Sequence, residues 1–322
     1  NPGAKNLRTT WRIHPLGLST VLEADCRFLE ASVYQFLEWE RSTELLPPSN
    51  PFAPYVRKNH WAYADYKHVK ELGDDWAKAL ETVVDWSALG CEKTASDSTL
   101  WFGTGGSHTP LHYDTYGVNL VAQLHGRKKW LLFPPAATAS LSPTRVPYEE
   151  SSVFSQIDAR SPDIRRFPRY DEANAVAVTL EPGDILFVPK HWWHFVEAVE
   201  TSLSVNVWVD APDDSEDRAK ESVARVLMTS LASGLETEVG PAWLNPTEGE
   251  VWPLEETLAV ASLAFQGLNP DANEAASGDG DRDDGEARVL AGDAFSVRAM
   301  VDAVTAPDIL QMIANRMLHR KG

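Results

Sequence analysis

The chain has 322 residues, enough for one large domain with an appendage or for two domains, and enough to bury a sizeable core. Its formal net charge of -18 argues against a surface that coats nucleic acid, which needs a basic stripe to meet phosphates, but suits a basic polypeptide substrate. Cys26 and Cys91 are too few for a disulfide framework and suit a reducing compartment, so a cytoplasmic or nuclear location is expected, with no signal peptide or bilayer-spanning run visible.

In chain order, Phe28, Leu29, Val33, Phe36 and Leu37 recur near helical spacing, which predicts a helix over residues 26–39. The run Leu46-Pro47-Pro48-Ser49-Asn50-Pro51 then breaks the chain into a loop. A second helical run is expected to open over residues 59–66 and to end before Asp85-Trp86, its aromatic cluster read most simply as core.

Residues 98–210 differ in kind. Short strand-like runs fall at 100–102, 118–122, 129–133, 175–180, 184–188 and 203–208. Gly103 to Gly106, His125-Gly126, Pro134-Pro135, Glu181-Pro182-Gly183-Asp184 and Pro189 punctuate them. Many short strands separated by Gly and Pro turns point to an antiparallel sandwich or barrel such as a jelly roll. Between Pro134 and Asn174 lies a long insert expected to be irregular, and long ordered inserts are often functional.

Beyond Asp210 the chain turns acidic. Residues 210–290 carry nineteen acids against five bases, which leaves 14 of the 18 net negative charges in this stretch. Helices are expected over 222–235, 254–268 and 294–318. Residues 275–286, rich in Gly, Asp and Ser, read as a solvated linker. Asp279, Asp281 and Asp283 resemble the opening of a calcium loop, but Gly285 falls one position late and no suitable Glu follows, so no calcium site is expected. The expected division is an N-terminal addition over 1–97, a β core over 98–211 and a helical region over 212–322, with the acidic linker near 270–288.

The chemistry concentrates in Thr109-Pro110-Leu111-His112-Tyr113-Asp114, answered some eighty residues later by His191-Trp192-Trp193-His194. On a strand, side chains alternate, so His112 and Asp114 share a face and can converge on one ion. His194, among strand-like runs and after a turn, is the favoured third ligand, with His191 and His108 as rivals. Two histidines and one carboxylate on one face of an octahedral ion leave three positions open, the arrangement of non-haem Fe(II) oxygenases. A 2-oxo acid chelating two of those positions leaves one for O2. Its far carboxylate then needs a buried cation and a hydroxyl, because an unpaired charge in an apolar interior is costly. Lys128 or Lys129 could supply the cation and Thr109 the hydroxyl; the run Trp130-Leu131-Leu132-Phe133 is apolar on both faces, so periodicity does not choose between the lysines.

These residues resemble the JmjC family of Fe(II)- and 2-oxoglutarate-dependent oxygenases. Thr109 to Asp114, Asn119 to Gln123, Gly126-Arg127-Lys128, Phe133-Pro134-Pro135, Pro182-Gly183-Asp184 and Trp192-Trp193-His194 look like the family's successive blocks, most of all in its asparagine hydroxylase branch. The longer runs 61–67 and 143–155 resemble a JmjC branch associated with a small heat shock protein, which implies such a partner. The resemblance implies a double-stranded β-helix, cupin-like, with helices flanking it at both ends. It implies His112, Asp114 and His194 as iron ligands, and Lys128 and Thr109 as partners of the distal 2-oxoglutarate carboxylate. It further implies Asn119 and Asn206 in the cosubstrate pocket, Tyr63 on the same carboxylate, and Trp208 near the substrate entrance. Trp208 reads equally as plain core packing. The helices after the barrel resemble, more faintly, a segment through which relatives form a homodimer.

The expected function is that of an Fe(II)- and 2-oxoglutarate-dependent dioxygenase, using O2 to hydroxylate a side chain in another protein. Demethylation of a methyl-lysine by the same chemistry, or a non-catalytic scaffold holding a chaperone, are the alternatives.

Overall fold

The computed structural model describes residues 8–235, 241–266, 268 and 297–318. Within it, β1 (Arg8–Pro15) pairs with β2 (Arg27–Ser32), and α1 (Val33–Arg41) follows directly. The helix expected over 26–39 is therefore half strand. Ser32 is where the conformation switches: its Oγ accepts the Gln35 N–H (3.2 Å) and its own N–H donates to Gln35 Oε1 (2.9 Å). This capping box satisfies two backbone donors at the helix start and marks the boundary that spacing alone misses. Phe36 and Trp39, three residues apart, are buried, and Phe36 stacks on Trp11 at 4.1 Å between ring centroids.

The run 59–66 is likewise a strand, β3 (His60–His68), not a helix. It lies between β1 and β4 (Thr99–Gly103), and Trp61 through Asp65 are all buried. A strand covered on both faces shows no alternation of apolar and polar residues, so its period is hidden. Helical turns begin only at Val69, and α2 (Asp74–Glu81) follows.

The remaining strands are β5 (His108–Asp114), β6 (Val118–His125), β7 (Lys128–Phe133), β8 (Pro143–Glu149), β9 (Ser152–Ser155), β10 (Val176–Leu180), β11 (Ile185–Val188), β12 (Trp193–Ala198) and β13 (Ser202–Val209). They form two antiparallel sheets, ordered β11-β6-β13-β4-β3-β1-β2 and β10-β7-β12-β5-β9-β8. Every strand run expected between 98 and 210 is present. The insert after Pro134 is more regular than expected: β8 and β9 form a hairpin that extends the second sheet beside β5, with His112 opposite Phe154. The two sheets form a double-stranded β-helix, as expected. Leu100, Leu120, Ala122, Val205 and Val207 form one buried cluster on the first sheet, and Leu111, Phe133, Trp193 and Phe195 another on the second.

The residues up to Ala211, with Ala242–Gly249, make one compact unit. Residues Pro212–Pro241 and those from Glu250 onward make a second. The second unit contains α3 (Asp214–Ser233), α4 (Leu254–Gln266), α5 (Val297–Val304) and α6 (Pro307–Leu318). α3 begins eight residues earlier than expected, with Asp214, Glu216 and Asp217 in its first turn, where acidic side chains meet the positive end of the helix dipole. The single helix expected to Leu318 is two, broken before Pro307, whose ring cannot continue a helix. The acidic linker and the Asp279 to Asp283 triplet lie outside the described residues. No helix among the described residues is long and apolar enough to cross a membrane.

Candidate metal centre

β5 carries His112 and Asp114 on one face, and β12 brings His194 directly opposite His112. The two imidazole centroids stand 4.2 Å apart, and His112 Nε2 lies 3.8 Å from Asp114 Oδ1. One ligand atom from each of the three buried residues lies within 4.8 Å of the others, the one such group among the described residues. His112 Nδ1 is 2.8 Å from the Pro110 carbonyl and His194 Nδ1 is 3.0 Å from that of Trp192. A carbonyl only accepts, so each Nδ1 carries the proton and each Nε2 keeps its lone pair for an ion. Burial, reinforced by neighbouring His112, pushes the His194 pKa down and keeps the ring neutral.

The rival histidines are engaged elsewhere. His108 packs against Trp61 at 5.1 Å and Phe195 at 5.7 Å, and its Nδ1 meets the Gly106 carbonyl. His191 takes a left-handed backbone (φ 67°), its N–H donates to the Asp114 carbonyl (2.9 Å), and its ring Nε2 sits 2.8 Å from the Thr115 carbonyl. It thus braces the backbone of Asp114 from outside the cluster.

Thr109 and His112, three residues apart, would face opposite ways on a regular strand. A register shift prevents this: His194 pairs with His112 but Val196 with Thr109, so β5 holds one residue more than β12 between those pairs. The bulge at Pro110-Leu111 turns Thr109 into the same cavity as His112 and sends Leu111 to the apolar cluster behind.

That cavity lies between the facing sheets. Of the residues singled out in the sequence, Thr109, His112, Asn119, Lys128, His194, Asn206, Tyr63 and Trp208 line it, and Asp114 joins them through the triad. Lys128 is buried and lines the cavity, whereas Lys129 is exposed. Lys128 Nζ donates to Ser204 Oγ (2.7 Å), Tyr63 Oη (3.3 Å) and the Trp101 carbonyl (3.3 Å), all neutral groups. Burial pushes its pKa down to about 7, only partly offset by Asp65. Burial, with Asp65, raises the Tyr63 phenol, which also hydrogen-bonds Thr109.

β13 ties the two ends of the cavity together. Ser204, Asn206 and Trp208 alternate onto its inward face. Ser204 holds Lys128, Asn206 donates to Asn119 Oδ1 (2.9 Å), and Trp208 Nε1 donates to Asp114 Oδ2 (3.1 Å). Ser204, Trp101 and Tyr66 were given no site role from the sequence; the period-two step back from Asn206 would have found Ser204, and Tyr66 lies in the run 61–67 beside Tyr63, whereas Trp101 comes from a strand with no motif of its own.

A buried lysine with no ion-pair partner among the described residues, in one cavity with two imidazoles and a carboxylate, fits a small acid that binds a metal at one end and an ammonium at the other. Residues 42–215 match the family model described as a cupin-like domain. The chain is 44% identical over 259 residues to HSPB1-associated protein 1 of Homo sapiens, covering 79% of this chain and 51% of that protein. It is 43% identical over 251 residues to the HSPB1-associated protein 1 homolog of Danio rerio, covering 77% and 56%. It is 35% identical over 148 residues to lysine-specific demethylase 8 of Xenopus tropicalis, covering 44% and 31%. The chain thus spans about half the length of the HSPB1-associated proteins it matches. Facing antiparallel sheets, a buried His-Asp-His cluster and these matches together place the chain in the family of cupin-like domains of the JmjC type.

Proposed function

We propose that the protein is an Fe(II)- and 2-oxoglutarate-dependent dioxygenase that hydroxylates a side chain of another protein. One observation carries the reading: the cavity that ends at His112, Asp114 and His194 holds, at its other end, buried Lys128, which has no ion-pair partner among the described residues.

His112, Asp114 and His194 would hold the metal, with both imidazoles locked in the ligating tautomer by backbone carbonyls. Lys128, Thr109 and Tyr63 would take the distal carboxylate of 2-oxoglutarate, whose charge supplies the counter-ion the lysine lacks. Asn119 and Asn206 fix polar positions between the two ends, while Val121, Trp130 and Val196 form an apolar wall that excludes water. With Fe(II), 2-oxoglutarate and O2 bound, the group supplies the power to hydroxylate a C–H bond, with succinate and CO2 as coproducts.

The names of the human and zebrafish relatives support a small heat shock protein as partner. Exposed Leu310, Ile313 and Met317 on α6 would serve a homodimer through the C-terminal helices. Demethylation of methyl-lysine is the second reading, supported by the names of the demethylase relatives and by the rings of Tyr66, Trp101 and Trp208, since aromatic faces attract methylammonium.

Succinate release from 2-oxoglutarate with Fe(II) tests the reading. The parent is expected to turn over and His112→Ala and Asp114→Ala to lose turnover. Equal release by parent and variants overturns the enzyme reading in favour of a non-catalytic scaffold. Mass spectrometry of a modified peptide separates the two reactions: a gained oxygen means hydroxylation, a lost methyl demethylation.

A further inference from the structure

Asp114 has two carboxylate oxygens, and they face different worlds. Oδ1 points toward the imidazoles, 3.8 Å from His112 Nε2. Oδ2 accepts the Trp208 indole N–H at 3.1 Å. A second, looser donor, Asn119 Nδ2, stands 3.5 Å from the same oxygen.

The direction of that second contact is fixed from a distance. Trp101 Nε1 can only donate, and it lies 2.7 Å from Asn206 Oδ1. Asn206 must therefore turn its amide nitrogen to Asn119 Oδ1, 2.9 Å away, which leaves the Asn119 nitrogen facing Asp114. The cross-strand register makes the arrangement rigid: Trp208 sits opposite Asn119, and Asn206 opposite both Val121 on β6 and Thr99 on β4. Two donors converge on Oδ2, and Oδ1 takes part in none of these hydrogen bonds.

Resting on the metal reading above, we infer that Trp208 is a positioning residue: its indole N–H holds Asp114 Oδ2, so the carboxylate offers a single oxygen to the ion. A carboxylate free to swing binds an ion through both oxygens and occupies an extra coordination position. One held by its outer oxygen leaves that position open for substrate-side ligands. Trp208 thus serves coordination number, beside the substrate-entrance or core-packing roles its sequence position suggests. Because Trp208 is half-buried, its ring still forms part of the cavity wall.

The test uses the full chain, freed of metal, with Mn(II) titrated by electron paramagnetic resonance and Co(II) by visible absorption. Mn(II) binding by the parent tests the metal reading itself, and its absence overturns both. Trp208→Phe keeps a ring and removes the N–H, whereas Trp208→Leu removes both. The expected result is Mn(II) binding weakened about tenfold or more in both variants, the scale for losing a ligand's outer partner. The Co(II) bands should also change in position and intensity in Trp208→Phe. A Phe variant with parental affinity and spectrum overturns the inference, whether or not the Leu variant is impaired, because ring packing would then be the whole effect. Infrared difference spectra of the Zn(II)-loaded parent read the same point without a variant: wide carboxylate splitting, meaning one bound oxygen, is expected, and the narrow splitting of two overturns it.

Discussion

Lys128 Nζ stands 2.7 Å from Ser204 Oγ, and its other partners, Tyr63 and the Trp101 carbonyl, are neutral too. A buried ammonium hydrogen-bonded to neutral groups is a poor structural choice, because burial penalises the charge and Asp65 offsets only part of that cost. Its pKa of about 7 is the signature of that penalty.

Affinity for a dicarboxylate ligand should therefore follow pH through Lys128. The free protein's lysine is charged below about 7 and progressively neutral above it, while a bound carboxylate holds the charge. The dissociation constant of N-oxalylglycine, measured by calorimetry on Mn(II)-loaded protein, should be level below that pH. Above it, binding should weaken by up to about tenfold per pH unit. Lys128→Arg, which does not titrate, should flatten the profile. A parent profile already flat to pH 9 removes Lys128 from the ligand.

The same residue should cost stability. Its folded pKa lies below the unfolded value of 10.5, so between about 7 and 10.5 the unfolded chain binds more protons. Stability should then rise with pH across that window, by up to about 1.4 kcal/mol per unit, and the penalty is fully present below it. Lys128→Met should be more stable than the parent in urea at pH 6, with the gain shrinking by pH 10. A Met variant less stable than the parent at pH 6 contradicts this account.

Gly103 touches the site without lining it. A Cβ there would stand 2.6 Å from Tyr63 Cδ2, 2.5 Å from Ser107 Oγ and 2.9 Å from the Ala62 carbonyl. Tyr63 would have to move, and with it the hydrogen bond from Lys128. Gly103→Ala should weaken N-oxalylglycine binding by roughly tenfold, the worth of one hydrogen bond to a charged group, while Mn(II) affinity changes less than about twofold. Equal losses for both ligands in a paired titration would show a general collapse of the cavity instead.

These residues show what the sequence discloses and what it hides. His112 and Asp114 were legible because β5 alternates there, and β10 and β11 because Pro182-Gly183 and Pro189 punctuate short apolar runs. β3 was not, since both its faces are covered and the period disappears. β2 was hidden because Leu29, Val33 and Phe36 happen to fall at helical steps across a strand-to-helix boundary. Thr109 in the cavity depends on a bulge, which spacing would deny and only the pairing with β12 explains. The choice between Lys128 and Lys129 likewise needs the fold, because the strand is apolar on both sides.

A second buried network, away from the metal ligands, sets the last prediction. Arg12 Nη1 lies 3.2 Å from Glu23, and its Nη2 lies 2.6 Å from Asp65. Asn245, returning to this unit from beyond α3, donates to Glu23 Oε2 (3.0 Å) and to Glu149. Tyr66 (2.8 Å) and Thr247 (2.7 Å) also donate to Glu149. One guanidinium thus pairs with two buried carboxylates, and Asn245 links a third, Glu149, to Glu23. Burial pushes Glu23 up to about 8 against the pull of Arg12, and burial also raises Glu149. For a carboxyl whose folded pKa is raised, the folded state binds more protons between the unfolded value, 4.5, and the folded one. Its contribution is fully present below 4.5 and declines as pH rises toward about 8, opposite in sign to an ordinary salt-bridged acid. Glu23→Gln mimics the protonated form at every pH, so it should match the parent in urea melts near pH 5 and exceed it near pH 8.5. The gap should be on the order of 1 kcal/mol or more, one pKa unit being worth about 1.4. If the parent instead gains stability over that range and Glu23→Gln loses it, Arg12 holds Glu23 ionised and the network is an ion-paired one.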